Sequence, residues 1–213
     1  MSRRPFLIAV LFAGAFLAAC GSDDDTTSGD GDTTGPAVTT TFDPRDCAAG
    51  DAGGMGESPV PDPVVPRPTI DGVEVFANLT HNHAEGCVAY AQNPPVGGDH
   101  AGTWQSCGFY SESIVVERGV HSMEHGAVWI TYDPELPADQ LDVLEGLAAE
   151  FVLVTPWNRD PLSSPVVASA WGLQLPVPSV DDPRLAEFVA VYANGPQNRE
   201  PGAPCMGGSN ETV

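Results

Sequence analysis

GAVWITYDPELPADQLDVLEGLAAEF, residues 126–151, holds the most decisive structural pattern in this chain of 213 residues. Its first seven residues are mostly β-branched or aromatic, and Asp133-Pro134 follows them, which predicts a strand over 126–132 that ends in a turn. Residues 137–151 then place apolar side chains at helical spacing, which predicts a helix. A strand followed directly by a helix indicates a domain that mixes both kinds of element.

The flanking sequence continues this mixture. A second helix is predicted between Asp182-Pro183 and Asn194-Gly195, since the apolar residues between these boundaries share one helical face. Further short strands are predicted over 73–76, 88–90, 152–155 and 166–171. We therefore expect an α+β fold, a single compact domain in which two helices pack on one side of a small mixed or antiparallel sheet.

The remaining segments suggest how the chain is organised. A disordered spacer is expected ahead of the domain, because the residues there are small, polar and acidic. The predicted segments are a signal peptide (1–19), a lipidated cysteine with an acidic flexible spacer (20–41), an extended Pro/Gly-rich lead-in (42–80), the histidine-containing α+β domain (81–200) and a C-terminal tail (201–213).

The N-terminal residues predict a lipoprotein. Arg3 and Arg4 precede an apolar run that is too short to span a membrane, as in secretory signals. Residues 17–20, LAAC, resemble a bacterial lipoprotein processing box, so Cys20 is predicted to carry acyl chains such as palmitate that tether the protein to membrane lipid. We expect an extracytoplasmic, lipid-anchored protein of the cell envelope. The choice of membrane, and of general or twin-arginine export, stays open.

Charge and cysteine content narrow the function further. The chain has 29 acidic against 8 basic residues, a net charge of −21, and no lysine, which argues against nucleic-acid binding. Four cysteines remain after Cys20, and an even number in an exported protein favours disulfide bonds. Of the three possible pairings, we favour Cys87–Cys107 with Cys47–Cys205.

All five histidines fall between residues 81 and 125, which predicts a metal site, because imidazole is the commonest biological metal ligand. His100, His121 and His125 are the predicted ligands, and His81, His83 or Met123 completes the set. Glu124 is predicted either to complete a zinc site with two imidazoles or to orient an imidazole from behind. The metal is copper or zinc, with copper slightly favoured because a thioether suits Cu(I) and the protein is exported.

The segment VHSMEHG, residues 120–126, fits two geometries. In a strand, His121, Met123 and His125 share one face, whereas in a helix His121 and His125 align as i and i+4. The same letters spell H-x-x-E-H, the signature of inverted zinc peptidases, which must lie on a helix. Gly126 and the β-rich run after it argue against a long helix and therefore against a peptidase.

These motifs together resemble a known family. The combination P-P-x-x-G-x-H at 94–100 and V-H-x-x-E-H-G at 120–126, with YDP at 132–134 and AWG at 170–172, is similar to the bacterial domain-of-unknown-function 3105 family. The resemblance runs from about His81 to Glu200. It implies an envelope or secreted α+β domain with the same histidine set, and it brings no established activity.

Three functions remain open at this point. The first is a tethered metal-binding protein that holds, delivers or buffers copper or zinc and exchanges it with a donor or acceptor protein. The second is a metal-dependent, hydrolase-like enzyme with Glu124 as general base. The third is a structural or ligand-binding envelope module in which the histidines hydrogen-bond the Pro/Gly loop in place. The sequence favours a binding role over an enzymatic one.

Overall fold

The computed structural model describes residues 70–213. The predicted signal peptide, Cys20, the spacer, Cys47 and most of the lead-in lie outside the described residues. Residues 70–213 lie within one compact unit, and none of their helices is long and apolar enough to cross a membrane.

Six strands and three helices make up this part of the chain. In chain order they are β1 (Glu74–Val75), β2 (Gly108–Phe109), α1 (Val116–Glu124), β3 (Val128–Tyr132), α2 (Ala138–Leu147), β4 (Val152–Pro156), β5 (Val166–Ala170), β6 (Leu173–Val177) and α3 (Pro183–Tyr192). The strands form one mixed sheet in the order β1-β6-β5-β3-β4-β2. Strand β4 runs parallel to β2 and β3, and the other pairs are antiparallel.

Strand β3 is buried on both faces, and successive side chains of the central strands enter two different cores. Val128 and Ile130 of β3 join the first core, which α2 and α3 cover with Leu144, Leu185 and Phe188. Trp129 of β3 joins the second core on the opposite face, where α1 contributes its apolar side chains. The sheet therefore separates α2 and α3 from the layer that holds the histidines.

The expected fold class is confirmed, with one helix more than predicted. The two predicted helices are α2 and α3, and they share one face of the sheet. The added helix, α1, was hidden because its sheet-facing residues Val116, Val120 and Met123 alternate with charged and polar ones. Residues 88–90 are not a strand, and β6 was missed because Pro176 interrupts its apolar pattern.

Gly126 ends α1 immediately after the histidine motif. Its φ of +101° lies in the left-handed region, and Gly126 N–H and Ala127 N–H donate to the carbonyls of Met123 and Ser122. This is a Schellman motif, in which glycine is favoured at the left-handed position. Of the two geometries open for residues 120–126, the helical one is present, and Gly126 is the residue that stops it.

The disulfide pairing differs from the favoured one. Cys107 is bonded to Cys205, so the preferred pairs Cys87–Cys107 and Cys47–Cys205 were wrong. The reason is that the C-terminal segment runs beside residues 104–107: Cys107 N–H donates to the Cys205 carbonyl, and Ser106 N–H donates to that of Ser209. Cys87 is also disulfide-bonded.

Candidate metal centre

Helix α1 carries the centre on the face opposite its apolar stripe. His121, Glu124 and the C-cap residue His125 stand at i, i+3 and i+4, so their side chains lie close together on one side of the helix. All three are buried. Apolar packing of Val120 and Met123 against the sheet fixes the rotation of the helix and therefore turns the polar face toward the histidine loops.

Two loops bring the other histidines to this face. His100 follows Gly98, whose φ is +120°, and lies beside the segment around His83 in a short parallel bridge. Backbone hydrogen bonds from Ala84 N–H to the His100 carbonyl (2.7 Å) and from His100 N–H to the Asn82 carbonyl (3.0 Å) hold that bridge. The Asp99 carboxylate accepts two further bonds from Asn82 and holds the two loops together.

The three buried imidazoles share one hydrogen-bonding arrangement. In each ring Nδ1 lies within hydrogen-bond distance of a backbone carbonyl: Gly98 for His100 (2.8 Å), Ala101 for His121 (2.6 Å) and Pro204 for His125 (2.8 Å). A carbonyl oxygen can only accept, so Nδ1 must carry the proton in each ring. In its neutral form each ring therefore presents an unprotonated Nε2.

Each of these Nε2 acceptors lies close to another hydrogen-bond acceptor instead of a donor. His121 Nε2 lies 2.9 Å from His125 Nε2, and His100 Nε2 lies 2.8 Å from Glu124 Oε2. His100 Nε2 is buried, and the Glu124 carboxylate is its close polar contact. Lone pairs that face one another in a buried site repel unless a cation lies among them. The arrangement therefore requires either protons or a metal ion.

Four of these groups are close enough to bind one ion. Potential ligand atoms of His83, His100, His121 and Glu124 all lie within 4.8 Å of one another. The ring of His83 stacks on that of His121 at 5.0 Å, and it is the exposed member of the group. Three imidazoles and a carboxylate form a donor set that suits zinc and other borderline divalent metals.

Comparison with known proteins adds a family. A family profile described as "Protein of unknown function (DUF3105)" matches residues 81–207. The chain belongs to the DUF3105 family. This confirms the resemblance seen in the two histidine motifs, both of which lie inside the matched range. No curated protein and no solved structure matches the chain.

The predicted ligands of this DUF3105 chain fall into three positions. His100 and His121 lie in the four-residue group, together with His83 and Glu124. His125 lies next to the group through its contact with His121. Two predicted residues stand apart: His81 Nδ1 is 3.9 Å from Glu124 Oε1 at the rim, and Met123 is fully buried in the second core.

Sequence reasoning did not find the groups that set the tautomers. The carbonyls of Gly98, Ala101 and Pro204 belong to the backbone and leave no signal in residue type. Glu200 was missed as well, although its Oε2 lies 3.4 Å from His125 Nε2. It stands 75 positions after His125, at the last residue of the predicted domain, so only the fold reveals the contact.

The electrostatics of the DUF3105 site oppose protonation of His121. The pKa of His121 is lowered to about 4, chiefly by burial and also by the neighbouring His100 and His125, while its bond to Ala101 and the charge of Glu124 act the other way. Burial raises the pKa of Glu124, but contact with His100 and the other imidazoles outweighs burial and holds it below its usual range. At neutral pH the site therefore combines a neutral His121 with an ionised Glu124.

This gives a pH prediction for the metal-free protein. The folded-state pKa of His121, about 4, is below the unfolded value of 6.5, so the unfolded chain binds more protons between these pH values. The stability is fully present above pH 6.5 and is lost as the pH falls toward 4. We expect the free energy of unfolding to fall by about 2 kcal/mol between pH 7 and 5. The lowered pKa of Glu124 acts in the same direction at lower pH.

Urea unfolding in the presence of EDTA at several pH values measures this slope. His121→Asn is the matched control, because its Nδ2 can still donate to the Ala101 carbonyl while the titrating group is gone. The control is expected to show a shallower slope. Equal slopes for the two proteins would show that His121 titrates normally in the folded state.

Proposed function

We propose that the protein binds a divalent transition metal, with zinc the preferred ion, at the group formed by His83, His100, His121 and Glu124. The observation that carries the proposal is the fixed tautomer of the buried imidazoles. Backbone carbonyls accept hydrogen bonds from Nδ1 of His100 and of His121. The Nε2 lone pairs of both rings therefore stay available, and that of His100 faces Glu124. Such fixing of the distant ring nitrogen is a common feature of metal-ligating histidines.

The donor set supports zinc over Cu(I). The thioether that favoured copper belongs to Met123, which packs with Val120 and Trp129 in the second core instead of facing the histidines. Cys87, Cys107 and Cys205 are all disulfide-bonded and cannot act as thiolate ligands. Nitrogen and oxygen donors alone suit Zn²⁺ and, as second choice, Cu²⁺.

A role in holding or delivering the metal fits the uneven exposure of the ligands. His100, His121 and Glu124 form a buried floor, whereas His83 is exposed and His81 stands at the rim with about a third of its side chain accessible. Exposed imidazoles at the mouth offer a donor or acceptor protein a route for ligand exchange. The tether through Cys20 and the extracytoplasmic location complete the proposal on the strength of the N-terminal sequence.

Metal content tests the function. The mature protein, exported into an oxidising compartment and purified without a histidine tag, is expected to contain zinc in near-stoichiometric amount by elemental analysis. Met123→Leu is expected to retain it, because this side chain only fills the second core. A protein that stays metal-free after incubation with zinc and with Cu²⁺ would contradict the proposal and favour the structural module. Loss of metal in Met123→Leu would restore the thioether as a ligand.

A further inference from the structure

We propose a second divalent-metal position between His125 Nε2 and the Glu200 carboxylate, next to the group that binds the first ion. We call the four-residue group the inner position and the His125–Glu200 pair the outer position. The inference rests on the proposed function, because the outer position acquires its need for a cation once the inner position is filled.

His125 is a buried ligand without a place in the inner position. Its Nδ1 donates to the Pro204 carbonyl at 2.8 Å, so the lone pair of Nε2 is the free one. That lone pair meets His121 Nε2 at 2.9 Å. When His121 Nε2 binds a metal in the inner position, it can no longer share a proton with His125. His125 Nε2 is then a buried acceptor that receives no proton from His121.

Glu200 supplies a second ligand for a cation that is bound by His125 Nε2. Its Oε2 lies 3.4 Å from His125 Nε2, again an acceptor facing an acceptor when the imidazole is neutral. The residue is well placed, since its backbone N–H donates to the Glu124 carbonyl (3.2 Å) and to the Asn198 side chain (2.9 Å). One imidazole and one carboxylate leave the remaining coordination positions of the ion to water.

The exposure of Glu200 gives the outer position a path to solvent. Just over half of its side chain is accessible (53%), whereas His125 is 6% exposed. The row from Glu200 through His125 to His121 therefore runs from the surface to the inner position. Two adjacent positions of different exposure are what a protein that accepts a metal from solvent and passes it inward would need.

Zinc titration followed by equilibrium dialysis tests the inference on the mature protein. The wild type is expected to bind two ions, and Glu200→Gln is expected to bind one, because the amide keeps the shape and backbone bonds of the residue but loses the anionic donor. His125→Asn, which keeps a donor to the Pro204 carbonyl, is also expected to bind one. Glu145→Gln, an exposed change of the same charge on α2, is the control and is expected to bind two.

A spectroscopic readout accompanies the count. With two equivalents of Cu²⁺, wild type is expected to show the half-field paramagnetic resonance signal of two coupled ions, and Glu200→Gln is expected to lack it. One ion in both proteins would overturn the outer position and leave the proposed function standing, with His125 a protonated partner of Glu200 or a ligand of the single ion. Two ions in both would overturn its location. No bound ion in wild type would overturn the proposed function together with this inference.

Discussion

Replacing His121 by asparagine is expected to remove tight metal binding while leaving the metal-free domain as stable as the wild type, or more stable, below pH 6. The asparagine Nδ2 can donate to the Ala101 carbonyl as Nδ1 does now, so the substitution deletes Nε2 and little else. Structural zinc sites with four ligands contribute about 10–16 kcal/mol, so one ligand corresponds to about 2.5–4 kcal/mol. That is a loss of affinity of about 10²–10³-fold.

The expected gain in stability at acidic pH follows from the repulsion between the facing lone pairs. In the metal-free protein His121 Nε2 faces His125 Nε2 at 2.9 Å, and burial makes protonation of His121 unfavourable above pH 4. A neutral amide at this position removes the group whose protonation destabilises the fold. Residues kept for function often lower stability in this way, and their removal raises it.

Two measurements on the same pair of proteins decide the matter. Competition with a chromogenic zinc chelator gives the affinity, and urea unfolding with EDTA at pH 5.5 gives the stability. A purely structural role for the histidines predicts the opposite pattern, in which His121→Asn loses several kcal/mol at neutral pH and no metal affinity exists to lose. His100→Asn provides a second case, since its Nδ1 bond to the Gly98 carbonyl can be kept in the same way.

The fold was largely predictable from elements whose sequence has one clear pattern, either a continuous apolar run or a capped helix. Strands β3, β4 and β5 consist of continuous buried residues, and α3 begins at an Asp182 side chain that accepts from Arg184 N–H with Pro183 in the first turn. Helix α1 escaped prediction because it has two functional faces. Its apolar stripe meets Trp129, and its polar stripe faces other buried polar groups instead of solvent, so the usual contrast between core and water is absent.

The candidate site was predictable in residue type and not in geometry. Confinement of all five histidines to residues 81–125 indicated a site, and two of the three predicted ligands lie in the inner position. The burial of Met123 in the second core depends on the rotation of α1, which is set by packing against the sheet. Glu200 and the Pro204 carbonyl depend on the path of the C-terminal segment, which short-range sequence patterns do not encode.

That path makes the Cys107–Cys205 disulfide the second large-effect target. The double variant Cys107→Ala, Cys205→Ala is expected to lose up to about 4–5 kcal/mol of stability, since the bond closes a separation of 98 residues and loop entropy grows with length. Alanine suits these positions because both cysteines are buried among apolar side chains. The second disulfide at Cys87 already constrains part of the unfolded chain, so the loss is expected at or below that figure.

The same variant is expected to weaken zinc binding at the outer position. Cys205 directly follows Pro204, whose carbonyl fixes the His125 tautomer, and the segment before it carries Glu200. Removing partners that orient a ligand lowers metal affinity by about 10–100-fold. The expected result is therefore a lower urea midpoint and a weaker zinc affinity, measured by denaturation with EDTA and by chelator competition. Saturating zinc is expected to recover part of the lost stability, because the ion binds only the folded state.

Met206→Ala separates this effect from a general loosening of the C-terminal segment. Met206 is next to Cys205 but is about half exposed, so its removal leaves both the disulfide and the Pro204 carbonyl in place. It is expected to change neither stability nor zinc affinity appreciably. If the double cysteine variant unfolded more easily yet bound zinc as tightly as wild type, His125 would have no share in metal binding. The link from the disulfide through Pro204 to the centre would then be purely structural.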